Sequence, residues 1–311
     1  MKREEKSLRK EYGKTLAELG RVNKNIVVLD ADLSCSTQTK IFADEFPDRF
    51  FNVGIAEQDL MTTAAGLACT GKIPFVSTFA VFAAGRAWEQ IRNTICYSDL
   101  NVKICATHAG ITVGEDGASH QALEDISLMR SIPNMLVIVP ADAKETREAV
   151  KFAAEYSGAV YIRIPRTNLP VIFDDNYSFD YLNAVKIKEG SDVSLITNGE
   201  TLIEVIDAAE ELHKKGINAE IIHVPVVKPI DLNTIVNSAK KTNRVITVEN
   251  HSVIGGLGSA VCEILSENCP VKVSRIGIND TFGQSGNAKQ LLSFYGLTAD
   301  RLTDKIIGLL Q

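Results

Sequence analysis

The sequence predicts an α/β protein, on three observations. Short β-branched, apolar runs alternate with longer segments of helical spacing along the chain, the pattern left by parallel crossovers. The alternation breaks once, over residues 167–190, where Asn168, Pro170, Asp174, Asp175 and Asn176 cluster. A histidine-bearing loop punctuated by glycines, residues 107–121 (THAGITVGEDGASHQ), follows one of the strand-like runs, where open parallel sheets bind ligands.

In the first unit, residues 1–172, the runs at 26–29, 73–77, 102–106, 135–139 and 160–164 are short and apolar and predict buried strands. Helical spacing predicts helices over 5–19, 56–69, 85–97 and 143–156. A linker spans 173–190. In a second, smaller unit, residues 191–311, strands are predicted at 193–197, 219–224, 245–248 and 271–276, with helices at 202–214, 230–239 and 257–265.

Composition narrows the function classes. The 311 residues are 45% hydrophobic and 23% charged, an ordinary globular balance. The net charge is −6, and the only basic cluster is the short start Lys2, Arg3. Neither nucleic acid nor an acidic membrane surface is expected as a partner. No apolar run approaches the ~20 residues that span a bilayer, and the first residues, MKREEKSLRKEYGK, lack the apolar stretch of a secretory leader. Cysteines 35, 69, 96, 105, 262 and 269 form no CxxC pair and read as reduced, mostly buried thiols of a cytoplasmic protein. His213, His223 and His251 lack metal-ligand spacing, so no metal site is assigned.

The loop at 107–121 carries the most chemistry. His108 and His120, with Glu115 and Asp116 between them, could bind sugar hydroxyls and move protons near neutral pH; a polar surface loop would read the same way. Glu57 opens a nearly apolar helix. It is either a first-turn acid favoured by the helix dipole or a buried carboxylate in need of a partner, such as a cofactor ring nitrogen. Phe79 and Phe82 (STFAVF) are either core aromatics or a platform for a flat ring. Asp32 and Ser36 end the first strand (VVLDADLSCS), as helix caps or site residues. Arg9 and Arg166 are surface arginines or phosphate ligands. Gly255, Gly256 and Gly258 suggest a phosphate cradle but lack the full GxGxxG fingerprint, so a tight strand–helix turn is expected there. GQSG at 283–286 lacks the spacing of a hydrolase nucleophile elbow.

Taken in order, LRKEYGKTLAEL, DADLSCS, FNVGIAEQD, STFAVF, THAGITVGEDGASHQ and IPRTNL resemble the C-terminal half of transketolase, and VENHSVIGGLGSAV and FGQSG extend the likeness into the second unit. The resemblance implies a parallel-sheet domain that binds the pyrimidine of thiamine diphosphate, followed by a smaller α/β C-terminal domain. It implies that Glu57 is the catalytic glutamate on the aminopyrimidine ring, that Phe79 and Phe82 form the wall on which the ring stacks, and that Asp32 is an acid near cofactor and channel. His120 would bind the reacting end of the donor sugar and Asp116 a donor hydroxyl. His108, Arg9, Ser36 and Arg166 would hold the substrate phosphate, with His108 also catalytic.

The family's diphosphate-binding domain, with its GDG motif and following Asn for magnesium, has no counterpart here; GEDG at 114–117 belongs to the sugar loop. The expectation is a split enzyme. An N-terminal subunit would bring the diphosphate site and the Mg2+ ligands, in a heterotetramer that also self-associates through this chain, acting on phosphorylated sugars. The alternatives are the beta subunit of a 2-oxoacid dehydrogenase, a deoxyxylulose phosphate synthase fragment, and a non-catalytic sugar-phosphate-binding module. GEDGASHQ and IPRTNL favour transketolase.

Overall fold

The computed structural model describes residues 3–311; Lys2, half of the basic start, lies outside them. The first half begins with β1 (Glu5–Ser7), α1 (Leu8–Val22), β2 (Ile26–Asp30), α2 (Ser34–Thr37), α3 (Lys40–Glu45), β3 (Phe50–Asn52), α4 (Glu57–Cys69) and β4 (Ile73–Ser77). It continues through β5 (Lys103–Ala106), α5 (Asp125–Arg130), β6 (Leu136–Ile138), α6 (Ala143–Glu155), β7 (Val160–Arg163) and β8 (Asn168–Pro170). The second half comprises β9 (Val185–Lys188), β10 (Val193–Thr197), α7 (Thr201–Lys214), β11 (Ala219–His223), β12 (Val226–Lys228), α8 (Leu232–Thr242), β13 (Arg244–Ser252), α9 (Leu257–Asn268), β14 (Lys272–Ile278), α10 (Ala288–Tyr295) and α11 (Ala299–Leu310).

Two mostly parallel sheets form the frame. The larger runs β12-β6-β7-β5-β4-β2-β3 and the smaller β14-β13-β10-β11-β9; β12 and β9, at an edge of each, are antiparallel to their neighbours. Parallel strands covered on both faces are mostly apolar, and β2, β5 and β7 are buried throughout, with Asp30, Lys103 and Arg163 as buried charged residues at their ends. Alternate residues serve opposite faces. Ile26, Val28 and Phe75 pack with Leu8, Tyr12 and Leu16 of α1, whereas Val27, Leu29 and Val76 pack with Leu60, Met61 and Ala64 of α4.

Several expectations need correction. The helix predicted from residue 5 starts at Leu8, because Glu5–Ser7 pairs with Asn168–Pro170 and Ser7 caps α1, its Oγ accepting from the Lys10 amide at 3.2 Å. Residues 85–97 do not form one α-helix; π-helical turns occupy Phe82–Arg86 and Gln90–Cys96. The 173–190 linker contains strand β9. The second half is not self-contained, since its strand β12 completes the larger sheet beside β6. Of the six free cysteines only Cys96 and Cys105 are buried, while Cys35 and Cys69 are exposed. Among the described residues no helix is long and apolar enough to cross a membrane.

Candidate active site

Parallel order puts the carboxyl ends of β2, β3, β4, β5 and β7 along one edge of the larger sheet, and the chemistry read from the sequence collects there. Asp32 and Ser36 follow β2, Glu57 opens α4 after β3, Phe79 and Phe82 follow β4, His108 follows β5, and Arg166 follows β7.

Glu57 is 2% exposed, and Ala56 before it offers no side-chain cap to α4. A buried carboxylate needs a partner. That partner is Arg86, whose Nη1 lies 2.8 Å from Glu57 Oε2 and whose guanidinium sits 4.5 Å from the centre of the Phe82 ring. Sequence reasoning missed Arg86, although its place four residues after Phe82, on the turn facing α4, was a usable signal.

Phe79 and Phe82 stack at 5.9 Å with planes 16° apart. Phe79 is bridged to Thr107, which draws His108 onto its ring at 3.8 Å. His120 meets the edge of Phe82 at 5.4 Å. Two phenyl rings and two imidazoles therefore form one aromatic cluster beside the Glu57–Arg86 pair.

Arg9 binds the other side of the site together. Its Nη1 donates to the Ser36 carbonyl at 2.7 Å and its Nη2 to the Arg166 carbonyl at 2.9 Å, and its buried Nε has no partner. Arg166 donates to the Val113 carbonyl and to Glu115 Oε2 at 2.9 Å; Asp116 stands farther off, at 3.9 Å, and exposed. Burial and the neighbouring Arg166 lower the pKa of Arg9. The Arg9 guanidinium, feeling the charge of Arg166 and with its Nε unpartnered, is a place an anion could fill.

His108 is 3% exposed, at φ 58°, with Nδ1 2.9 Å from Thr107 Oγ1. Burial, then Arg9, Arg166 and His120, push its pKa down to about 3. Held so low, the His108 ring favours its neutral form, able to donate or accept a hydrogen bond. His120 Nδ1 lies 2.9 Å from Ser119 Oγ. Asp32 is exposed at φ 63°, its amide donating to Asn52 Oδ1 and its Oδ1 accepting from Asn52 Nδ2, both at 3.0 Å.

Beneath this surface Asp30 orders the turn after β2, its carboxylate accepting from the Leu33 amide (2.6 Å), Thr37 Oγ1 (2.7 Å) and Thr39 Oγ1 (2.8 Å). The glycine turn at 255–258 is no phosphate cradle. The amides of Leu257 and Gly258, at the start of α9, already bind the buried Glu249 carboxylate at 2.7 and 2.8 Å. A cavity of about 460 Å3 lined by Arg3, Glu5, Glu204 and Lys289 lies on the far side of the loop, at Thr112 and Glu200. Its charges are partly paired with each other, Arg3 to Asp207 at 2.8 Å.

Two family models match in tandem: the transketolase pyrimidine-binding domain over residues 4–171 and the transketolase C-terminal domain over residues 182–302. A Methanocaldococcus jannaschii chain provisionally named a transketolase C-terminal section is 52% identical over 97% of this chain and 96% of its own length. Human transketolase is 37% identical over 97% of this chain but only 49% of its own. A solved split-gene transketolase, described as an inactive β4 tetramer, superposes with a TM-score of 0.91 at 54% identity, covering 98% of both chains. With both domain models in register and the edge of the larger sheet carrying the buried glutamate, the stacked rings and the paired arginines, the chain belongs to the transketolase family.

Proposed function

We propose that this chain is the C-terminal subunit of a split, thiamine-diphosphate-dependent transketolase. With an N-terminal subunit that brings the diphosphate site and magnesium ligands, it moves a two-carbon ketol unit from a ketose phosphate to an aldose phosphate. The observation that carries this reading is the meeting, at one sheet edge, of buried Glu57 and the Phe79–Phe82 stack with Arg9 and Arg166. A carboxylate beside flat aromatic faces fits an aminopyrimidine, and adjacent guanidiniums fit a phosphate. The subunit arrangement draws support from relatives that match this chain over nearly their whole length while full-length human transketolase matches over half. We place the assembly in the cytoplasm and the pentose phosphate pathway, as a heterotetramer with two copies of each chain.

When bound, thiamine diphosphate supplies the nucleophile and the electron sink for carbon–carbon cleavage. Glu57 would hold the aminopyrimidine and exchange a proton with it through its carboxylate, while Phe79 and Phe82 stack against that ring and Asp32 lies near it. Arg86 contacts both Glu57 and Phe82, so an aminopyrimidine held there would share the Glu57 carboxylate with its guanidinium. His120 would orient the reacting end of the donor and move protons on its oxygens, and Asp116 would bind a donor hydroxyl. Neutral His108 donates or accepts a hydrogen bond beside the phosphate held by Arg9, Arg166 and Ser36. Because the guanidiniums recognise a terminal oxyanion, a modified sugar is a related reading. A 42% identical Clostridium protein is named a 6-deoxy-6-sulfo-D-fructose transketolase subunit, and a Phocaeicola vulgatus one an apulose-4-phosphate transketolase subunit.

The test is Glu57→Ala in the complex with the N-terminal subunit. Turnover should fall at least ~100-fold, the typical worth of a proton-transferring group, with the fold unchanged by circular dichroism. Near-normal turnover would remove Glu57 from the mechanism.

A further inference from the structure

The loop at 107–121 is held partly by its own bonds, the Gly117 and His120 amides donating to the Gly114 and Gly117 carbonyls and Gln121 Nε2 to the Ile111 carbonyl at 3.1 Å, and partly from outside. His108 stands at φ 58°, and Gly110, Gly114 and Gly117 at φ 76°, 84° and 73°. Left-handed backbone at a non-glycine residue persists only when its surroundings impose it. Around His108 the surroundings belong to the first half, the Ala109 amide donating to the Ile164 carbonyl at 3.3 Å and Phe79 stacking on the ring; from Gly110 to Thr112 the second half takes over. Asn250, on β13, accepts at Oδ1 from the Ile111 amide at 3.1 Å and donates from Nδ2 to Glu200 Oε1. Glu200, at the start of α7, also accepts from Thr112 Oγ1 at 3.0 Å. Asn250 is 2% exposed, Glu200 7% and Thr112 1%. Gly110 lies flat against the same amide; a Cβ there would stand 2.4 Å from Asn250 Nδ2. The Asn250 carbonyl receives Arg163 Nη2 at 2.9 Å, and that nitrogen also reaches the Ala122 carbonyl, which accepts the Gly110 amide at 2.9 Å. One buried asparagine thus touches the loop at Gly110 and Ile111 and is tied through Arg163 to Ala122 at its end.

We propose that Asn250 is a positioning residue for the transfer reaction: by holding Gly110 and Ile111 it fixes the course of the loop that carries His108 and His120, so the second half of the chain helps set the geometry of the site. The assignment rests on the functional reading above.

The experiment compares Asn250→Ala with the wild type in two ways. Hydrogen–deuterium exchange on the full chain is expected to speed up about tenfold over residues 107–121, the order of effect for one buried hydrogen bond. In the complex with the N-terminal subunit, kcat/KM for a ketose phosphate donor should fall about tenfold while the Kd of thiamine diphosphate holds; a merely structural role would move both or neither. Unchanged loop exchange overturns the proposal, as does faster loop exchange with unchanged donor kinetics. If Asn250→Ala does not fold, the near-isosteric Asn250→Asp keeps an acceptor for Ile111 but turns a carboxylate toward Glu200, and the same readouts should move the same way. A wild-type complex without sugar transfer would overturn the functional reading and with it the catalytic part of Asn250, while the exchange result separately decides whether Asn250 holds the loop.

Discussion

Charge at close quarters explains most of what individual residues do. Arg166 is held by Glu115 at 2.9 Å and by the Val113 carbonyl, and Arg9 by two carbonyls, so on the proposed reading both are preset for a phosphate. Arg166→Ala should raise KM for phosphorylated substrates by about tenfold or more, the scale of one charge-assisted contact, and leave a phosphate-free donor nearly unaffected; equal loss with both donors would contradict the assignment. Titration gives a second prediction. Burial holds His251 down to about 4, well under the ordinary value near 6.5. The unfolded chain therefore takes up a proton between those values while the folded chain does not, and stability is full above pH ~6.5 and lost as pH falls toward 4. His108, depressed to about 3, adds in the same direction. Glu249, raised to about 7 by burial, opposes them, its share being full below pH ~4.5 and lost as pH rises through 7. His251→Gln should flatten the fall in stability between pH 6.5 and 5 by up to about 2 kcal/mol, measured by urea melts; an unchanged slope would refute this.

At the scale of elements, strands buried on both faces were the most legible. Residues 26–29, 73–77 and 160–164 were predicted within a residue of β2, β4 and β7, because a parallel strand with helices above and below is a near-continuous apolar run whose polar residues, Asp30, Ser77 and Arg163, fall at its end. The short strands β3, β8, β9 and β12 were not legible. Each is three or four residues long at a sheet edge or in a small ribbon, and its pairing is set by a partner elsewhere in the chain. The turn at 82–96 failed because its apolar spacing fits an α-helix while the backbone takes π-helical turns, a form seen mostly at functional sites. The burial of Glu57 was legible from the apolar helix it opens, whereas its partner Arg86 was missed despite its place after Phe82, and Asn250 was illegible because it reaches the loop from the other half of the chain. The turn after β2 depends on one such group. Asp30→Ala would leave the Leu33 amide and the Thr37 and Thr39 hydroxyls without their buried acceptor and should cost about 2–4 kcal/mol in denaturant melts; a loss under about 1 kcal/mol would mean that water replaces the carboxylate.

On the scale of the whole molecule, the two halves are interlocked. Strand β12 closes the larger sheet, and His223 of β11 meets Glu145 of α6 at 2.8 Å with both side chains fully buried. The second half therefore extends the frame on which the first displays its site. On the other side of that site Glu57, Arg86 and Asp32 lie along an edge that includes the exposed Ile55 (78%) and Phe51 (39%), a surface suited to a subunit that brings the rest of the cofactor site. On the proposed function this chain turns over sugar phosphates only inside such an assembly. The most direct measurement is a coupled assay with a ketose phosphate donor, an aldose phosphate acceptor, thiamine diphosphate and magnesium, run on the chain alone and on the chain co-expressed with the N-terminal subunit. Ketol transfer in the mixture and none from the chain alone is the predicted result; full transfer by the chain alone, or decarboxylation of a 2-oxoacid by a mixture inert toward sugars, would contradict it.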